Sequence, residues 1–152
     1  HAPFLVKFPG TIKAGQVHNS MTSHVDIAPT ILDFADVAIP EDIQGFSLKP
    51  ILLGKKEKVR DASYYHFYEH GVRLPEMIGI RTDRHKLIFY PGMKGQYRWE
   101  LFDLEKDSQE MKNLHYNPEY RALAQELKMQ LRDLTKKYND QSGNVPQLFK
   151  MK

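Results

Sequence analysis

The sequence predicts an α+β fold, in which a small antiparallel sheet of about four strands is packed by a long C-terminal helix. Four runs rich in β-branched and aromatic residues follow one another between residues 62 and 103. An apolar stripe at helical spacing then extends from residue 120 to residue 138. Ahead of both, a strand-like run and a helix predict a piece of a larger α/β domain.

The first segment predicts a strand followed by a helix. Residues 3–10 are short, mostly apolar and closed by a Pro-Gly turn, which is typical of a strand in the middle of a sheet. The apolar spacing of residues 27–35 predicts a helix of about three turns, with Ser23 or Asp26 as its cap and Pro29 in its first turn. A central strand needs neighbours that this chain does not obviously supply. We therefore expect a partner domain.

The middle of the chain predicts a link and then an antiparallel sheet. Residues 37–61 are rich in proline, glycine and charge, which indicates solvated loops. Asp83 and Arg84 predict a tight hairpin between the second and third strands, and residues 91–95 a longer loop. The predicted strands are 62–68, 77–82, 86–90 and 97–103.

The last regular element is predicted to be a helix that packs on the sheet. Asn117 supplies an N-cap and Pro118 a favourable first residue. The apolar stripe consists of Tyr120, Leu123, Leu127, Leu131, Leu134 and Tyr138. The tail is polar, although residues 145–149 could dock on the domain. The predicted division is 1–40 (strand and helix of the larger domain), 41–61 (linker), 62–140 (C-terminal subdomain) and 141–152 (tail).

Composition excludes several classes of function. No apolar run approaches the roughly 20 residues of a membrane span, so we expect no membrane insertion. There are no cysteines, which excludes disulfides and a cysteine-derived nucleophile within this sequence. The net charge of +3 is spread along the chain, which does not favour a nucleic-acid partner.

Four motifs, in order, resemble the C-terminal third of the type I sulfatases of the alkaline phosphatase-like superfamily. Two differences are visible, because His1 stands where that family usually has arginine and Gln44 where it often has aspartate. The motifs are residues 1–10 (R-x-P-hydrophobic-x-x-P-G), 25–33 (V-D-[IL]-x-P-T-[IL]-L), 44–52 (D-G-x-S-L-x-P-x-L) and 100–114 (E-L-Y-D-L-x-x-D-P-x-E-x-x-N-L). Residues 78–88 further resemble bacterial carbohydrate sulfatases similar to N-acetylglucosamine-6-sulfatases.

The resemblance implies a parent enzyme that hydrolyses sulfate esters of a carbohydrate or an aryl alcohol. It implies calcium and a formylglycine made from Cys or Ser in C/S-x-P-x-R, neither of which this sequence provides for. We therefore expect no catalytic residue and no metal site here, and an isolated chain that is inactive. A missing N-terminal catalytic domain is the implied partner, and the implied location is periplasmic or secreted. Exposure of the first apolar run predicts self-association.

The candidate substrate-binding residues are His66, Glu69 and His70. They belong to residues 64–70, the densest cluster of aromatic residues and histidines, and sugar rings bind to aromatic faces and polar tips. The alternative is a strand of core aromatics, on which His66 and His70 share a face with two tyrosines. His70, just before a glycine, is the strongest candidate for contact with substrate.

Other arrangements carry weaker functional hypotheses. The order His66-x-x-Glu69-His70 has the letters of an inverted zinc-protease motif, but that motif needs a helix and this segment favours a strand. His24 and Asp26 at a helix start predict capping and packing rather than acid–base catalysis. The cations at positions 81–86 predict a solvated turn rather than an anion site.

One alternative function also remains open, namely a non-catalytic module, basic and aromatic, that binds an anionic polysaccharide. Salt-dependent binding of the isolated chain to such a polymer would favour it.

Overall fold

The computed structural model describes residues 3–68, 75–91, 98–141 and 148. The chain forms two compact units, His1–Asp61 and Ala62–Lys152, here called the N-terminal and the C-terminal unit. Within the described residues, no helix has both the length and the apolar character to cross a membrane.

The N-terminal unit contains the predicted helix. A 3₁₀ turn at His24–Asp26 leads into α1 (Ile27–Phe34), so the prediction of about three turns is confirmed. The link also holds a one-turn helix, α2 (Lys49–Leu52), which loop-like composition did not predict. Pro50 lies in its first turn, where the missing amide hydrogen has no cost.

The strand predicted within residues 3–10 is not formed among the described residues of this unit. Residues 3–8 carry no regular structure, and Pro9 and Gly10 form the predicted turn. A strand needs a neighbouring strand that hydrogen-bonds its backbone N–H and C=O groups, and residues 3–61 supply none. The apolar side chains of this run remain exposed, Leu5 at 94% of its surface.

A buried carboxylate, Asp26, organises the N-terminal unit. It accepts hydrogen bonds from the amide of Ser23 (2.7 Å), the amide of Phe46 (2.9 Å) and both terminal nitrogens of Arg60, whose Nη1 lies at 2.8 Å. The guanidinium of Arg60 also lies over the Phe46 ring. A side chain at Gly45 would collide with the backbone carbonyl of Val25, so only glycine lets this segment approach.

The C-terminal unit is an antiparallel meander of four strands in the order β1-β2-β3-β4. The second strand matches its predicted bounds, and the first and third shift by one residue at an end. The predicted first residue of the fourth strand, residue 97, lies outside the described residues. Asp83 and Arg84 form the predicted two-residue hairpin, where the Thr82 hydroxyl accepts the amide of His85 at 2.8 Å. The strands are β1 (Ala62–Phe67), β2 (Met77–Thr82), β3 (His85–Tyr90) and β4 (Arg98–Asp103).

The core of this unit lies between one face of the sheet and helix α3 (Arg121–Lys137), as predicted. A 3₁₀ turn precedes the helix, and the side chain of Asn117 caps it by accepting the amide of Glu119 at 3.1 Å. Leu148 from the tail is fully buried in the same core. The buried members of this core are Ile78, Ile80, Leu87, Phe89, Trp99, Leu101, Leu114, Ala124, Leu127, Leu131 and Leu148.

The motif at residues 100–114 is structural. Asp103, with its side chain 1% exposed, accepts hydrogen bonds from Arg84 Nε (3.1 Å) and Nη2 (2.8 Å), which ties the hairpin to β4. The Asn113 side chain accepts the amide of Leu101 and donates to the carbonyl of Trp99, so it covers the edge of β4. The roles of these residues in the motif are therefore structural: they pack in the unit and give backbone groups their hydrogen-bond partners.

Stability at low pH should depend on Asp103. The hydrogen bonds from Arg84 hold the pKa of Asp103 at about 2, below the ordinary 3.8. A carboxylate with a lowered folded-state pKa stabilises the fold above about pH 4, and that contribution is lost as the pH falls toward 2. Asp103→Asn is therefore expected to lower the free energy of unfolding by about 1–2 kcal/mol at pH 7 and much less at pH 2.

Urea unfolding followed through the single tryptophan, Trp99, at pH 7, 4, 3 and 2 measures this difference. Subtracting the variant from the wild type removes the other titrating carboxylates. A difference that is constant over the four pH values would contradict the assignment.

Candidate functional site

Four polar side chains converge beside the end of β1. His66 Nδ1 lies 2.8 Å from Asp140 Oδ2, and His66 Nε2 lies 3.0 Å from Glu76 Oε1. The Tyr64 hydroxyl donates to the same Asp140 oxygen at 2.5 Å. We call Tyr64, His66, Glu76 and Asp140 the His66 cluster. The side chains of His66, Glu76 and Asp140 are 1%, 3% and 7% exposed, so the cluster is almost dry.

The local structure explains how these residues meet. Alternation along β1 puts Tyr64, His66 and Tyr68 on one face. Glu76 directly precedes β2, which pairs with β1 so that His66 lies opposite Ile78. Asp140 follows the end of α3, the helix that packs on the sheet. The two rings that flank the cluster are Tyr138, stacked on Tyr64 at 5.8 Å, and Tyr68, 3.8 Å from His66 between ring centres.

The electrostatics of the cluster are those of a buried, fully hydrogen-bonded network. Each ring nitrogen of His66 lies at hydrogen-bond distance from one carboxylate, and this pairing offsets the cost of burying the polar groups. Burial and the neighbouring Asp140 carboxylate raise the pKa of Tyr64, so its hydroxyl remains a donor. The arrangement fixes the end of β1 to α3 and to the start of β2. It contains no activated nucleophile.

The three predicted substrate-binding residues are placed differently. His66 is buried, and protein carboxylates lie at hydrogen-bond distance from both of its nitrogens. Glu69 and His70 lie outside the described residues. Substrate contact by the three residues therefore stays a prediction.

The structure also bears on the zinc-protease motif and on the pair His24 and Asp26. His66 lies on a strand, as predicted, which removes the helical geometry that an inverted zinc-protease motif requires. Within the described ranges, no group of three or more histidine, aspartate or glutamate side chains could hold a metal ion. Asp26 packs at its helix start, as predicted, whereas the side chain of His24 faces solvent.

The cations of the β2–β3 hairpin mostly pair with carboxylates of the chain. Besides Asp103, the Arg84 guanidinium contacts Glu105 at 3.0 Å. Lys86 Nζ lies 2.6 Å from a Glu110 oxygen. The prediction that these cations do not form an anion site agrees with this pairing.

Two members of the cluster were not predicted from the sequence. Glu76 follows a proline in an irregular stretch, and Asp140 is the last residue of the predicted subdomain, beyond the apolar stripe of the predicted helix. No spacing links residues 66, 76 and 140. A buried histidine needs partners, so the only signal was the strand alternation that turns His66 inward.

Comparison with known proteins identifies the family. The family model for the C-terminal part of N-sulphoglucosamine sulphohydrolase matches residues 1–137. An N-acetylglucosamine-6-O-sulfatase of Bacteroides thetaiotaomicron is 40% identical over 144 residues, which is 91% of this chain and 25% of that protein. An arylsulfatase of Clostridium perfringens is 34% identical over 122 residues, covering 78% of this chain and 24% of that protein.

A solved structure gives the same result in three dimensions. It shows a protein in complex with its substrate D-glucosamine-2-N,6-O-disulfate, and it matches with a TM-score of 0.83 and 38% identity. The match covers 91% of this chain and 29% of that one. The chain thus spans 24% to 29% of the length of these relatives. Since both sequence and fold match over nearly its whole length, this chain belongs to the N-sulphoglucosamine sulphohydrolase C-terminal family of the sulfatases.

Proposed function

We propose that this chain acts as the C-terminal subdomain of an enzyme that hydrolyses sulfate esters of a carbohydrate. One observation carries the proposal, namely the match over 91% of the chain to the structure solved with D-glucosamine-2-N,6-O-disulfate. A 6-O-sulfated glucosamine derivative is the substrate class that this relative and the 40% identical sulfatase both suggest. The non-catalytic module is not favoured, because the named relatives reported above are sulfatases.

The residues of this chain do not fit the family's calcium and formylglycine. There is no cysteine, no serine lies in an S-x-P-x-R frame, and the described ranges hold no cluster of metal-ligating side chains. We therefore derive no step of the hydrolysis from this chain. The chemistry, a neighbouring catalytic domain and a periplasmic or secreted location belong to the proposal for the whole protein.

The contribution proposed for this chain is specificity. Glu69 and His70 directly follow Tyr68 in sequence, and the His66 cluster anchors the strand from which they continue. We assign His66 as a positioning residue and His70 as the side chain that hydrogen-bonds the sugar or its sulfate. A bond to an anionic group contributes about 1.5–3 kcal/mol, so its loss would weaken catalysis markedly.

The exposed apolar run at residues 3–8 supports a second part of the proposal. Phe4, Leu5, Val6 and Phe8 are each at least 41% exposed, which is unusual for neighbouring apolar residues. They would be covered by the catalytic domain, or by another copy when this chain is alone. The self-association predicted from the sequence remains a prediction.

The experiment measures sulfate release from 6-O-sulfated N-acetylglucosamine by the protein that joins this chain to its preceding coding sequence. His70→Ala is expected to lower kcat/KM roughly 10- to 100-fold. His18→Ala, an exposed histidine that contacts Gln16, is the matched control and should leave kcat/KM unchanged. The isolated chain should release no sulfate.

Two results would overturn the proposal. An upstream reading frame without C/S-x-P-x-R would remove the sulfatase assignment for the whole protein. Equal kinetics for His70→Ala and His18→Ala would remove the specificity role alone and leave the sulfatase assignment in place.

A further inference from the structure

A groove beside the start of α3 has a strongly basic lining. Its volume is about 730 Å³, within the range of roughly 300–1,000 Å³ that ligand sites occupy. Three of its described lining residues, Arg121, Lys128 and Arg132, are cations, and none of the described lining residues is acidic. The described lining is His115, Tyr116, Asn117, Pro118, Arg121, Ala124, Gln125, Lys128, Met129 and Arg132.

The cations form a row along one face of the helix. Steps of seven and four residues place Arg121, Lys128 and Arg132 over about three turns, or roughly 16 Å of helix axis. Lys128 Nζ lies 4.4 Å from the centre of the Trp99 ring, and Arg132 Nε donates to the carbonyl of Leu148 at 3.2 Å. These contacts fix two of the three cations. A row of this length suits a chain with repeated negative charges better than a single small anion.

One buried polar atom at the groove, Nδ1 of His115, has no hydrogen-bond partner among the described residues. His115 stacks on Trp99 at 5.9 Å, and its Nδ1 is buried without a hydrogen bond. Burial and the nearby Lys128 lower the pKa of His115 to about 4, while burial and the nearby Arg132 lower the pKa of Lys128. Burial is the larger cause of both shifts, and the neighbouring cations act in the same direction.

The remaining lining fits a sugar rather than a nucleobase. Tyr116 is 71% exposed and stands edge-on to His115, so the mouth of the groove offers one aromatic face. Asn117 and Gln125 supply uncharged groups that can hydrogen-bond hydroxyls. A strand of bases would need several stacking platforms, which these lining residues do not offer.

We propose that this groove binds a sulfated oligosaccharide through Arg121, Lys128 and Arg132, with a sugar ring against Tyr116. Binding here involves no hydrolysis, so the inference goes beyond the proposed function. The groove is an additional site on the C-terminal subdomain of the proposed sulfatase and does not replace that enzyme by a non-catalytic module. The site would retain the polymer that carries the sulfate esters.

The test is calorimetry of the 152-residue chain with a heparin-derived hexasaccharide at 150 mM salt. Arg121→Gln combined with Lys128→Gln is expected to weaken binding at least about tenfold. The control, Lys55→Gln combined with Lys56→Gln, removes the same charge from an exposed loop and should have little effect. Arg121→Gln alone, at an exposed position, is the variant to use if the double variant unfolds.

A second readout is the NMR titration of His115. Bound sulfate groups should raise the pKa of His115 from about 4 toward its ordinary 6.5, against the charges of Lys128, Arg121 and Arg132 on the facing helix. Unchanged titration, equal weakening by both double variants, or equally tight binding of a desulfated hexasaccharide would each overturn the proposal. So would tighter binding of single-stranded DNA, which would assign the groove to phosphodiesters.

Discussion

Replacing Asp26 by alanine is expected to lower the free energy of unfolding of the N-terminal unit by about 3–5 kcal/mol. The carboxylate is fully buried, and Arg60, its partner, is 7% exposed. Its removal leaves a buried guanidinium unpaired and takes the acceptor from the amides of Ser23 and Phe46. A loss of this size is comparable to the whole stability of many small domains.

Amide hydrogen exchange is the suitable measurement, because the single tryptophan reports only on the C-terminal unit. Protection of α1 and of the Phe46 amide should fall 100-fold or more. Asp61→Ala is the matched control, since Asp61 pairs with Lys58 at 2.5 Å but is 87% exposed. That pair should contribute no more than about 1 kcal/mol. Similar losses of amide protection for Asp26→Ala and Asp61→Ala would contradict this prediction, because the buried pair would then stabilise the unit no more than the exposed one.

Replacing His66 by alanine should destabilise the C-terminal unit by a similar amount, about 3–5 kcal/mol. The ring lies between two nearly buried carboxylates, and without it Glu76 and Asp140 each lose a hydrogen-bond partner. The truncation also leaves a cavity under Tyr68. Urea unfolding followed by Trp99 fluorescence measures the effect directly.

Two further variants separate the effect of the two carboxylates on stability from the effect of lost side-chain volume. Adding Glu76→Gln to His66→Ala should recover part of the loss, because a neutral amide then replaces one of the two carboxylates that the missing ring no longer separates. Tyr68→Phe should change stability little, since its hydroxyl lies 3.5 Å from Asp140 and its ring is 54% exposed. If His66→Ala cost less than about 1 kcal/mol, the cluster would not anchor β1, and the positioning role proposed for His66 would be lost.

The two units are stabilised by different kinds of side chain. In the C-terminal unit, most of the buried groups are apolar side chains contributed by four strands and one helix. In the N-terminal unit, a buried ion pair and the Thr30 hydroxyl connect α1 to the link, because Thr30 Oγ1 accepts the amide of Leu48 at 2.8 Å. The motifs at residues 25–33 and 44–52 therefore include side chains that pair backbone groups of the other motif.

Local patterns determined the regular elements of this protein. β-Branched and aromatic enrichment, a two-residue turn and an Asn-Pro helix start act over a few residues, so β2, the hairpin at Asp83 and the start of α3 could be predicted from the sequence. The ordered motifs likewise determined the family. Composition predicted a strand at residues 3–8 together with the need of a neighbour, and without that neighbour among the described residues of the N-terminal unit the strand does not form.

Tertiary structure decided which polar groups meet. The partners of His66 are 10 and 74 residues away, and the partner of Asp26 is 34 residues away, so no local spacing encodes these pairs. The basic groove differs in part, because its cations follow helical spacing along α3, whereas their contacts with Trp99 and with Leu148 depend on packing. Sequence patterns report the period of one element, whereas a buried pair or a groove depends on how elements pack, and packing brings together residues distant in the chain.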